Sequence, residues 1–124
     1  MSSLLKFHEV WGYVAIVANA IAGVIALVAW RWKAARGRYV WIATIAAEAA
    51  LMLQVLVGTI LVASKDYVAP RFHMFYGFVA FLTVGIAYQY RRQMRGRREM
   101  LYGLVGLFLM GLGIRAVLQA AGSG

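Results

Sequence analysis

The sequence predicts an all-α integral membrane protein: a four-transmembrane-helix bundle built from two hairpins repeated in parallel, with both termini outside. Three observations carry this. The 124 residues are 64% hydrophobic and 14% charged, with a mean hydropathy of +0.75, whereas soluble domains are about 25% charged. Four runs reach the roughly 20 apolar residues that span about 30 Å of hydrocarbon at 1.5 Å per residue. A ten-residue segment containing a histidine occurs twice.

The first span covers about 7–30 and is too long, without an A-x-A site after it, to read as a cleavable signal. Arg31, Lys33, Arg36 and Arg38 crowd the connection that follows, with no acid among them. The second span covers about 39–63. A connection through Lys65, Asp66 and Pro70 leads to the third, about 72–90. The next connection carries Arg91, Arg92, Arg95, Arg97 and Arg98 against the single acid Glu99. The fourth span covers about 100–120, and 122–124 read as a flexible tail. Lipid offers the backbone no partners and these runs lack strand alternation, so each is helical. A chain this short supports one domain, 1–121.

Lys and Arg in short loops mark the cytoplasmic side. The first and third connections hold nine of the thirteen basic residues, so they face the cytoplasm, and the termini and the Pro70 turn lie outside. The expected location is a bacterial cytoplasmic (plasma) membrane, as a multi-pass protein. The net charge of +9 has its source in those turns; no basic face exists elsewhere, and the expected partners are the lipid bilayer and a larger membrane complex or a homo-oligomer, with no nucleic acid. With no cysteine in the chain, disulfides and Cys-ligated metals drop out.

The repeat aligns Lys6-Phe7-His8-Glu9-Val10-Trp11-Gly12-Tyr13-Val14-Ala15 with Arg71-Phe72-His73-Met74-Phe75-Tyr76-Gly77-Phe78-Val79-Ala80, five of ten positions being identical. Each copy opens an inward-running helix, and each hairpin turns through Arg-Gly-Arg. A pseudo-twofold along the membrane normal relates parallel repeats of this kind and puts His8 and His73, the only two histidines, face to face at the outer end. Below each, on the same helical face, run small residues: Gly12, Ala15, Asn19 and Ala22, and Gly77, Ala80, Val84 and Ala87. Two facing imidazoles with glycines leaving room beside them suit a flat macrocycle whose iron takes His8 and His73 as axial ligands. The same residues equally fit interfacial histidines and tight helix packing in lipid. A bare metal site has only Glu9 as an obvious third ligand.

Few other polar groups enter the spans. Arg115 lies at the histidine level, placed to pair with a haem propionate, or with Glu9 if there is no haem; Lys6 and Arg71 are alternatives for the propionate. Asn19, Glu48 and Gln54 are intramembrane, and such groups are functional candidates by default. Glu48 is too deep to serve the histidine site and reads either as a hydrogen-bonding neutral acid or as a proton shuttle.

The stretch Leu51-Met52-Leu53-Gln54-Val55-Leu56-Val57-Gly58-Thr59-Ile60-Leu61-Val62, followed by a short loop and Pro70-Arg71-Phe72-His73, resembles one four-helix half of the haem A synthase family. The resemblance covers roughly 7–85. It implies haem bound between histidines at the outer ends of the first and third helices, where His8 and His73 stand. This chain holds one bundle where that family has two, and Glu9 follows His8 where that family places an acid before it, so a stand-alone enzyme is not expected. The function expected first is a small b-type cytochrome or haem-binding subunit, for electron transfer or haem handling. The alternatives are a cofactor-free structural or assembly subunit, to which Gly103, Gly106, Gly111 and Gly113 would offer a packing face, and lastly a small proton-coupled transporter using Glu48.

Overall fold

The computed structural model describes residues 2–64, 71–94 and 96–121. Four helices form: α1 (Ser2–Arg31), α2 (Arg38–Ala63), α3 (Arg71–Tyr90) and α4 (Arg98–Ala121). All four are long and apolar enough to cross a membrane. They match the predicted spans, except that α1 begins five residues before the predicted start. No proline or like-charge pair interrupts Ser2–Lys6, so the helix simply extends out of the apolar run. The Pro70 turn and the tail expected over 122–124 lie outside the described residues.

Between α1 and α2 the chain makes a single 3-10 turn at Lys33–Ala35. Gly96, with φ of 88°, sits in the left-handed region open to glycine at little cost, and it turns the chain from α3 into α4. The arginines here also cap helix ends, whose last carbonyls lack intrahelical donors. Arg36 donates through Nε to the Ala29 carbonyl (2.8 Å) and through Nη2 to that of Trp30 (3.1 Å). Arg91 donates to the carbonyl of Tyr88 (2.7 Å), and Arg98 to that of Arg91 (2.9 Å). Arg36 Nε also lies 3.9 Å from Glu99 Oε2, so the two basic turns share one end of the bundle.

Around the bundle α1 neighbours α2 and α4, and α3 neighbours α4 and, thinly, α2. Helices α1 and α3 are diagonal: among the described residues, none of their Cα atoms come within 8 Å of each other. The inward face of α1 is made of small residues, with Ala15, Asn19, Ala22, Ala26 and Ala29 all buried. That lets α4 approach closely. A Cβ built on Gly106 would lie 2.9 Å from the Asn19 carbonyl oxygen and from the Gly23 Cα. Gly103 and Gly113 face α1 in the same way, against Leu27 and Ile16. These glycines, expected to offer a face to a partner, are instead consumed inside the bundle; only Gly111 looks onto open space.

Contact between α1 and α2 is polar as well as close. Asn19 Nδ2 donates to the Ala47 carbonyl (3.2 Å) and to that of Ala15 (2.8 Å). Trp11 donates to Ala50 O (2.8 Å) and Gln54 to His8 O (2.6 Å). A strict twofold would give α3 the same purchase on α2 that α1 has on α4. It has far less: 39% of the spanning stretch of α1 is buried, against 11% for α3.

Candidate functional site

His8 stands near the start of α1 and His73 near the start of α3, so the two parallel helices bring both imidazoles to the same end of the bundle. The rings face each other across the α1–α3 diagonal with centroids 6.0 Å apart and planes 84° apart. Both residues are half-buried. No bulky side chain separates them at that distance.

Each imidazole has a distinct anchor. His73 Nδ1 lies 2.8 Å from the Ala116 carbonyl oxygen of α4. A carbonyl only accepts, so Nδ1 carries a proton, and in the neutral ring Nε2 keeps its lone pair. That is the tautomer in which a histidine serves as a metal ligand, with the other ring nitrogen held by a carbonyl. The His8 ring rests on α2, where a Cβ on Gly58 would lie 2.9 Å from His8 Cε1. His8 Nδ1 is buried without a hydrogen-bond partner.

The two glycines of the repeat play different parts. Space beside Gly77 is open, with nothing within 4 Å of a built Cβ. Space beside Gly12 is filled by the Gln54 amide, whose Nε2 lies 2.9 Å from the built Cβ. Of the two repeat glycines, only the one on α3 has open space beside it. The buried stripes below the histidines are otherwise as expected, with Gly12, Ala15, Asn19 and Ala22 buried on α1, and Ala80 and Ala87 on α3.

Comparison with known protein families, with characterised proteins and with solved structures found no match. The geometry of the two imidazoles has to speak for itself.

Metal–imidazole bonds are about 2.0–2.1 Å long, short enough for one ion to be reached from both rings across a centroid spacing of 6.0 Å. Among the described residues no group of three His, Asp or Glu comes together around a metal ion. Two imidazoles alone do not complete a shell for a free ion, but they do complete that of an iron whose other four ligands come with a macrocycle. His8 and His73 are the two residues that would hold such an iron, and beside them the space next to Gly77 is open.

Arg115 is exposed and donates through Nη2 to the Tyr76 hydroxyl (3.3 Å), with its guanidinium 5.7 Å from the Tyr76 ring centre. It forms no ion pair with Glu9 among the described residues, where the sequence offered that pairing as one of two. Since Ala116 anchors His73, Arg115 does sit at the histidine level. Lys6 is exposed near the same end. Glu48 lies six residues down α2 from Gln54, about 9 Å along the axis, and forms no hydrogen bond or ion pair among the described residues. The sequence marks Gln54 only as an intramembrane polar group, without a link to His8, and gives Gly58 no part. The available signal was their spacing: a polar residue and a glycine one helical turn apart, the pattern also shown by each histidine and its glycine.

Proposed function

We propose that this protein is a small b-type cytochrome or haem-binding subunit, with His8 and His73 as the axial ligands of one haem near the outer surface. The observation that carries the reading is the pair of imidazoles facing at 6.0 Å, one of them already held by Nδ1 in the ligating tautomer. Haem supplies one-electron exchange. Held by both His8 and His73, the iron would have no open coordination position, which favours electron transfer or haem handling over oxygen chemistry. Arg115 and Lys6 stand at this end to meet carboxylates. The orientation proposed with it puts the arginine-rich turns in the cytoplasm and the histidines at the opposite face of a bacterial plasma membrane.

The test is a reduced-minus-oxidised absorption spectrum of the purified protein. A Soret band and sharp α-band are expected, both lost in His8→Ala and in His73→Ala. A wild-type protein that stays colourless after haem is added would overturn the proposal.

A second reading draws on α3. Phe75, Phe78, Leu82 and Ile86 lie along one side of this least-buried helix and are all exposed, a face that suits a subunit docking on another membrane protein. Stoichiometric copurification of colourless protein with one partner, lost on substituting Phe78 and Leu82 by alanine, would favour it.

A further inference from the structure

The amide of Gln54 is tied to His8 from a different helix, and the tie leaves two atoms unaccounted for. Gln54 Nε2 donates to the His8 backbone carbonyl at 2.6 Å. Because that carbonyl can only accept, the amide nitrogen must be the atom facing it, and Oε1 is turned elsewhere. Oε1 is buried and has no partner; so is His8 Nδ1. A buried polar atom without a partner is costly, and here the amide oxygen and the ring nitrogen belong to residues already joined by the bond from the Gln54 amide to the His8 carbonyl. Gly12 admits the amide and Gly58 admits the ring, so two glycines bring the Gln54 amide and the His8 imidazole to one stretch of the α1–α2 interface.

We propose that Gln54 is a positioning residue for His8. Its side-chain carbonyl accepts the proton on Nδ1 and so fixes the tautomer with Nε2 free. The proposal rests on the reading of His8 and His73 as a ligand pair. It makes their surroundings equivalent in chemistry though not in source. His73 hands its Nδ1 proton to a backbone carbonyl of α4; His8, at the first turns of α1, hands its own to a side chain of α2. Carbonyl acceptors of this kind orient a ligating imidazole and raise its basicity. Gln54 would thereby control both how firmly His8 binds iron and how electron-rich it is.

The experiment needs no haem. Protein labelled with 15N-histidine is studied in micelles by long-range 1H–15N correlation at about pH 8, where an ordinary imidazole is neutral. Both histidines of the wild type are expected as the Nδ1–H tautomer. In Gln54→Met, of similar shape but with neither donor nor acceptor, His8 is expected to move to mostly Nε2–H while His73 stays unchanged. Gln54→Glu keeps an acceptor and is expected to keep His8 as Nδ1–H. His8 as Nε2–H in the wild type, no change in Gln54→Met, or loss of the tautomer in Gln54→Glu would each overturn the inference. The wild-type spectrum decides alone if the variants do not fold. In haem-loaded protein, Gln54→Met is expected to retain haem about 10-fold less well and to shift the midpoint potential upward. A missing Soret band in the wild type would instead remove the haem reading, leaving the tautomer result to stand by itself.

Discussion

Gly58 and Gly77 do opposite things for the two imidazoles. The first is a seat: the His8 ring presses onto the bare Cα, and even a methyl group there would come within 2.9 Å of Cε1. The second is a gap, with nothing within 4 Å. Gly58→Ala is therefore expected to push the His8 ring off its present line and lower haem occupancy several-fold, measured as the Soret-to-protein absorbance ratio, while leaving the helical content by circular dichroism unchanged. Gly77→Ala meets no atom of the chain and separates the roles: reduced occupancy there would show that the gap is needed by the ligand. His8 and His73 were legible in the sequence because a duplicated motif marks matched positions. Gln54 stood out only as an intramembrane amide with no assigned neighbour, and Gly58 not at all, since in an apolar run one glycine is ordinary. Only the side-by-side pairing of α1 and α2 reveals that they share a face with His8.

At the scale of the helices, small residues decide which neighbours touch closely. Without a hydrophobic drive between helices in lipid, backbone approach and interhelical hydrogen bonds set the packing, and α1 uses the first against α4 and the second against α2. Gly106→Ala puts a methyl against backbone atoms of Asn19 and Gly23 that cannot rotate away. Overpacking of this kind costs about 1–3 kcal/mol, so a clear fall in the thermal midpoint in detergent is expected, whereas Gly111→Ala, facing open space, is expected to change it little. The four spans were legible from length and hydropathy alone. How the glycines of α4 are used was not, because a glycine that faces another helix of the same bundle and one that faces a partner read identically in one dimension. The same holds for the thin α2–α3 contact, which departs from the symmetry that the repeat predicts.

Over the whole molecule, chemistry is segregated end to end. Nine of the thirteen basic residues fall in the first and third connections of the sequence, and among the described residues these meet at one end, where Arg36 approaches Glu99; the histidines, Arg115 and Lys6 lie at the other. The Arg36–Glu99 pair is long at 3.9 Å, so the arginines act on the fold chiefly through the helix-end carbonyls they cap. The absence of cysteine makes orientation simple to read. In bacterial spheroplasts, Ser3→Cys is expected to react with a membrane-impermeant maleimide and Ala34→Cys only after lysis; the reverse pattern would invert the proposed topology. The imidazoles of His8 and His73 stand with their planes 84° apart, and the central claim is that the proposed haem would be held by both. Low-temperature electron paramagnetic resonance of the ferric protein tests it most directly. A strongly anisotropic low-spin signal, the signature of two imidazoles held nearly perpendicular, is the expected result; a high-spin signal, or no haem signal after reconstitution, would contradict it.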